Sequence, residues 1–272
     1  MQGSVSQFSY GMITPVVAFL TACFGSALGL RCTTRSLHKD RQERRGPWLL
    51  LGAICIGSGI WTMHFIAMIG FSITGVTIEY DRAMTFLSLA VAVVVVSIGI
   101  FIVGYRGASP LTLGIAGLIT GLGVAAMHYI GMHGLKFDGR MTFDSVTVTV
   151  SVIIAVVAAT AALWAAVSLH SLASATAASV IMGIAVTGMH YTGMAAMSVH
   201  AAHPSALADQ KLQLLGFLLP VVGGPIGVLV LASVIIMFDP DMLAGGRPAA
   251  EAPVVRQEAQ VEERPTASWP LF

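Results

Sequence analysis

Three histidines sit in near copies of one short pattern: Met63-His64-Phe65-Ile66-Ala67-Met68, Met127-His128-Tyr129-Ile130-Gly131-Met132 and Met189-His190-Tyr191-Thr192-Gly193-Met194. They are 64 and then 62 residues apart, so they hold equivalent places in an internal repeat. In each copy the histidine and the second methionine are four residues apart, which on a helix puts both on one face, about 6 Å apart along the axis. The pairs are His64 with Met68, His128 with Met132, and His190 with Met194. The first methionines, Met63, Met127 and Met189, are rotated by about 100° and can face a neighbouring helix. Three such helices meeting at one level would offer three imidazoles and several thioethers. Imidazole suits copper and other late transition metals, and thioether selects soft ions such as Cu(I). Transmembrane histidines can also ligate haem iron, which makes haem the competing cofactor; it uses one or two axial ligands and leaves a threefold pattern unexplained.

A methionine in an apolar helix ordinarily packs, and 14 of them in an apolar chain carry no information alone. A histidine at membrane depth is costly unless paired and is a functional candidate by default. Three at matched positions, each with the same methionine spacing, point to a shared site.

The elements that must position these residues follow from composition. The chain has 272 residues, 56% hydrophobic and 10% charged, with mean hydropathy +0.84. Soluble domains carry about 25% charged residues, so this chain lacks a water-facing surface and reads as an integral membrane protein. Apolar stretches long enough to cross the hydrocarbon core occur at about 11–30, 48–70, 83–105, 111–133, 146–167, 175–197 and 212–237. The expected fold is an all-α, seven-transmembrane-helix bundle with three internal two-helix repeats following the first span. The expected membrane domain covers 1–240. Residues 241–272, rich in Ala, Pro and Glu, are expected to form a disordered cytoplasmic tail.

Residues 31–46 hold Arg31, Arg35, Lys39, Arg41, Arg44 and Arg45 against Asp40 and Glu43, which predicts a cytoplasmic loop by the positive-inside rule. With Arg106 and with Arg247, Arg256 and Arg264 of the tail, ten of the 14 basic residues fall on that side. The N-terminus is then periplasmic, the C-terminus cytoplasmic, and the three histidines lie near the outer ends of spans two, four and six of a bacterial inner-membrane protein.

Gly57-Ser58-Gly59, Gly121-Leu122-Gly123, Gly183 and Gly188 precede the motifs and allow close helix approach. Asp81 and Asp144 stand just before new spans, where a carboxylate caps a helix start; in the third repeat an acid appears only at Asp209. His133 is a candidate extra ligand at the mouth of the site, and His200 and His203 could capture incoming metal. His38, among cytoplasmic basic residues, and His170, in an inner loop, are poor candidates. Cys23, Cys32 and Cys55 show no CxxC spacing and read as packing residues. No phosphate-binding loop, Ser-His-Asp arrangement or HExxH is present, and no span contains Asp or Glu for a carboxylate-driven pump. The sequence therefore reads as a non-enzyme. Contact with the lipid bilayer explains the basic loop better than nucleic acid does.

The repeated Met-His-Tyr/Phe-x-Gly/Ala-Met pattern in alternate spans resembles the bacterial MHYT domain, a seven-helix membrane sensor-type domain, over about residues 10–237. The third copy matches outright as Met189-His190-Tyr191-Thr192; the first departs at Phe65 and Ala67, and the second at Ile130. The resemblance implies a copper site near the outer membrane face, formed by Met63, His64, Met68, Met127, His128, Met132, Met189, His190 and Met194, with Phe65, Tyr129 and Tyr191 lining it. It also implies sensing of O2, CO or NO, with copper handling as the alternative. Such domains often precede cyclic-di-GMP synthesis or breakdown domains. About 35 residues follow the last span, which leads to the expectation of a separate signalling output partner.

Overall fold

A computed structural model of the chain describes residues 5–36, 45–74, 76–168, 171–201 and 210–239. The loop segment with His38, Lys39, Asp40, Arg41, Glu43 and Arg44 lies outside them, as do His170, His203, Asp209 and the tail that was expected to be disordered.

Seven helices are long and apolar enough to cross a bilayer, making the chain a multi-pass membrane protein. They are α1 (Ile13–Ser36), α2 (Arg45–Ile69), α3 (Arg82–Arg106), α4 (Pro110–His133), α5 (Ser145–Ser168), α6 (Leu172–Ala195) and α7 (Gln210–Met237). Each falls on an expected apolar stretch. The largest difference is at the C-terminal end of α1, which continues through Arg31 and Arg35 because charge at a helix end does not break the backbone ladder. Asp81 caps α3 by accepting from the Met84 N–H at 3.0 Å, and Asp144 does the same for α5 from Thr147 at 2.9 Å. Ser109 and Ser171 cap α4 and α6. Gly107, at φ 80, takes the left-handed turn that ends α3.

Helices α1 to α6 form a closed ring in which each packs against the next and α6 returns to α1. Helix α7 lies outside it: Leu218 and Val222 join the main core, while Leu229, Ala232 and Ile236 pack with Leu28, Cys32 and Cys55 of α1 and α2. The position between α6 and α2, which the sequence repeat would give to the helix after the third motif, is thus held by α1. Small residues make that possible. A Cβ on Gly25 of α1 would stand 2.7 Å from the Gly59 Cα of α2. The seams between motif helices and their successors repeat one device: a Cβ on Gly57 would meet the Val93 backbone at 2.9 Å, and one on Gly121 the Val156 Cα at 2.4 Å.

Short antiparallel strand pairs, each joining two different connections, tie the motif end together. Strand β1 (Val5–Ser6) pairs with β2 (Ser72–Ile73), β3 (Glu79–Tyr80) with β4 (Leu135–Lys136), and β5 (Gly139–Phe143) with β6 (Met197–Ala201). The register sets Tyr80 opposite Leu135 and Phe143 opposite Met197. The Asp81 N–H donates to the Gly134 carbonyl and the Asp144 N–H to the Ala196 carbonyl, both at 2.8 Å, so each capping aspartate also bonds to the end of the next motif helix. The strand pairs and helix ends enclose a second apolar cluster that includes Phe71, Val76, Met68, Met132 and Met194.

Candidate metal centre

The three motif helices bring His64, His128 and His190 to one point. Their Nδ1 atoms form a triangle with sides of 3.0 Å (His64 to His190), 3.2 Å (His64 to His128) and 3.3 Å (His128 to His190). Ring centroids are 5.0, 5.0 and 5.1 Å apart and the planes are near perpendicular, which gives the cluster approximate threefold symmetry. Each residue is 1% exposed. A neutral imidazole presents at Nδ1 either a lone pair or an N–H. One Nδ1–H can donate to a neighbouring lone pair, but in every combination of tautomers at least one side of the triangle sets two lone pairs or two N–H groups against each other; a cation shared by three lone pairs removes the conflict. Among the described residues this is the one group of three or more His, Cys, Asp or Glu side chains whose ligating atoms come together.

The far side of each ring explains a motif position that spacing alone assigns to packing. A Cβ on Gly131 of α4 would lie 2.6 Å from His64 Nε2, and one on Gly193 of α6 would lie 2.5 Å from His128 Nε2. The glycine of one motif is therefore the seat of the preceding motif's imidazole. Neither Nε2 atom has a hydrogen-bond partner. Backbone contact rather than a hydrogen bond keeps the Nδ1 edges turned inward.

The aromatic positions follow the same symmetry. Phe65, Tyr129 and Tyr191 each stand edge-on to the histidine before them, with centroids 4.8, 4.9 and 5.0 Å apart. They form an apolar collar. The Tyr129 hydroxyl pairs with Ser151 Oγ at 2.6 Å, whereas the buried Tyr191 hydroxyl has no partner and its ring stacks on Phe8. Trp61, one turn before Phe65, donates from Nε1 to Ser88 Oγ at 2.9 Å. Ser88 and Ser151 each follow their capping aspartate by seven residues, a matched pair that the sequence reading did not use.

All six motif methionines are buried, in two tiers. Met63, Met127 and Met189 belong to the main core, and Met68, Met132 and Met194, one turn beyond the imidazoles, to the cluster under the strand pairs. The imidazole plane lies between them. His133 ends α4 with its side chain exposed, and His200 is exposed on β6 opposite Arg140, so neither joins the triad. Cys23, Cys32 and Cys55 are free thiols. At the surface, Lys136 lies 2.7 Å from Asp81; together with the Met84 N–H it holds the Asp81 carboxyl below the usual carboxylate range.

Comparison with known proteins agrees with this layout. Residues 57–116 and 121–179 match the MHYT family, described as a bacterial signalling protein N-terminal repeat. These segments hold the first two motifs. The chain is 36% identical over 194 residues to the bifunctional diguanylate cyclase/cyclic di-GMP phosphodiesterase MucR of Pseudomonas aeruginosa, covering 69% of this chain and 28% of that protein. It is 34% identical over 207 residues to the cyclic di-GMP phosphodiesterase NbdA of the same organism, covering 73% and 26%. Over 199 residues it is 28% identical to the signalling protein YkoW of Bacillus subtilis, covering 71% and 24%. The chain thus spans about a quarter of the length of these relatives. No solved structure matches it.

Proposed function

The chain belongs to the MHYT family of bacterial membrane signalling repeats, and from that premise we propose that it is a sensor domain whose input is read by copper held between His64, His128 and His190. The observation that carries the reading is the triangle of buried Nδ1 atoms, 3.0 to 3.3 Å on a side. Nitrogens about 2.0 Å from a tetrahedral ion stand about 3.3 Å apart, so the donors present fit a small late transition ion with one position left over. A haem fits less well, because a porphyrin cannot be placed between nitrogens this close.

Bound Cu(I) would supply an electron-rich centre able to take up O2, CO or NO, or to change oxidation state. The protein's own residues do the rest. The three imidazoles hold the ion from three helices, and Gly131 and Gly193 fix the ring orientation. The aromatic collar and the methionine tiers exclude water, with Met68, Met132 and Met194 the nearest soft donors along the helix faces. Because one ion touches α2, α4 and α6, a change in its ligation alters the packing of three helices at once, which is the energetic difference between states that a sensor needs. With the basic loop of residues 31–46 cytoplasmic, the triad lies at the periplasmic side of the membrane. MucR and NbdA are by name cyclic-di-GMP enzymes, and we place this chain on the input side of an output of that kind.

Metal analysis of the full chain purified in lipid nanodiscs tests this, with and without CO or NO. The expected result is stoichiometric copper, lost on His64→Ala, His128→Ala or His190→Ala and kept on His200→Ala, with a spectral change on gas addition. Equal copper in all four variants, or stoichiometric iron with a strong Soret band, rejects the assignment. Copper flux into proteoliposomes that depends on the triad would instead favour copper handling.

A further inference from the structure

Below the triad, on the side away from the strand pairs, lies an interior cavity of about 40 Å³. Ile60, Val124 and Val186 each lie four residues before a triad histidine, and Ile56, Thr120 and Met182 each lie eight before, so two tiers of the three motif helices contribute to its wall. Val96 and Ile100 of α3 and, above all, a row of residues on α5 that includes Ala155, Ala159 and Ala162 supply the rest. Met189, next to His190, also lines it.

A void of this size exceeds the roughly 10–15 Å³ that one water needs, but a stable water also needs two to four polar partners. Thr120 supplies the one hydroxyl in the lining, buried, without a partner and seated against Gly99 of α3. Such a chamber stays dry and suits a small apolar molecule.

A second cavity, of about 580 Å³, lies between α5 and α6. Its wall includes the exposed residues Val157, Trp164 and Ile181, which face the region where lipid chains lie. Ala158, Ala162 and Met182 line both cavities. The small alanines make this shared wall thin, and Met182, with a flexible thioether, stands in it. The opening is therefore on the hydrocarbon side rather than the aqueous one, and uncharged diatomic molecules dissolve better in hydrocarbon than in water.

We propose that this is a gas route: a diatomic molecule enters from the bilayer between α5 and α6, passes Met182, and docks in the chamber under the triad. The inference rests on the gas-sensing reading above and names the path by which the ligand arrives. The strand pairs and aromatic collar close the opposite side, so the ligand reaches the imidazoles from within the membrane.

Two measurements on the full chain in nanodiscs test the route, one of them independent of metal. Xenon, used as an apolar probe, should shift the 13C-methyl resonances of Met182 and Met189 and leave that of Met197 on β6 unmoved. Ala162→Phe, which fills the shared wall, should abolish the Met189 shift. In copper-loaded protein it should slow CO association at least tenfold while leaving the equilibrium affinity within about twofold. Met182→Ala should speed association. Ala158→Leu serves as a second plug should Ala162→Phe not fold. An unchanged CO rate in a folded plug variant overturns the route and leaves the gas reading standing. Absence of CO binding in copper-loaded wild type removes the gas reading, and the xenon shifts then decide the chamber alone. No xenon shift at Met189 in wild type, as when a lipid chain fills the seam, overturns the chamber.

Discussion

At the scale of single residues, the triad depends on atoms that have no chemistry of their own. Gly131 and Gly193 hold His64 and His128 by leaving room for Nε2, at distances where any side chain would collide. Gly131→Ala would put a methyl 2.6 Å from His64 Nε2, so the ring must move and the Nδ1 triangle must open. Overpacking of this kind costs about 1–3 kcal/mol. Gly188→Ala meets nothing within 4 Å and is the matched control in the third motif helix. The expected outcome is loss of most copper and a lower unfolding temperature for Gly131→Ala, with copper unchanged for Gly188→Ala, read by metal content and thermal unfolding. Full copper retention in Gly131→Ala would show that the seat does not set the ring. The histidines themselves were legible in the sequence because repetition at matched depth is rare. The seats were not, because a glycine in a membrane helix is ordinarily a packing residue and its partner lies on another helix. Which ring nitrogen faces the centre of the triad was hidden too: spacing places an imidazole on a face but does not rotate it.

At the scale of elements, the aspartates before α3 and α5 show how one residue serves two helices. Asp81 accepts from the Met84 N–H, donates its own N–H to the end of α4, and pairs with Lys136. Asp144 repeats the first two roles at the next junction. The sequence exposed the capping, since an acid just before an apolar run is a local pattern, but not the bond to the neighbouring motif helix. The strand pairs escaped for a similar reason: four of the six strands have only two residues, and their partners lie in different loops. The Asp81 carboxyl is held below its ordinary pKa by Lys136 and the Met84 N–H. Stabilisation from a group depressed in this way is present above the unfolded carboxylate pKa and is lost as pH falls through the folded value. Hydrogen exchange at the Asp81 and Met84 amides should therefore quicken as pH falls below about 4, after correction for intrinsic rates. In Asp81→Asn the exchange should already be faster at neutral pH and show no such step. A wild-type profile identical to that of Asp81→Asn would remove the junction from the forces that hold the motif ends together.

For the whole molecule, the repeat in the sequence and the symmetry in space are offset by one helix. Sequence similarity pairs α2 with α3 and α4 with α5, as the two family matches also do. A third unit of α6 with α7 would complete the series, yet the ring closes through α1, and α7 packs outside against α1 and α2. The seven spans could be read from local hydropathy, whereas the choice of closing helix could not, since it depends on which surface lies flush against both α6 and α2. Ala18, Ala22 and Gly25 give α1 such a surface. On α6, Gly183 faces α1 so closely that a Cβ there would stand 2.4 Å from Cys23 Sγ and 3.4 Å from the Cys23 backbone nitrogen. A cysteine at that place can reach Cys23 with a small rotation of either side chain, within the short Cβ separation of about 3.5–4.5 Å that a disulfide requires. Gly183→Cys should therefore form an α1–α6 cross-link under mild oxidation in membranes. Cys32 and Cys55 lie in one cluster and could pair with each other, so the test uses a Cys32→Ala/Cys55→Ala background. Counting free thiols there by maleimide mass tagging after denaturation should give none of two, and adding Cys23→Ser should restore tagging of the one that remains. If both thiols stay free under oxidation, α1 does not lie beside α6 at this level, and the ring must be closed by another helix.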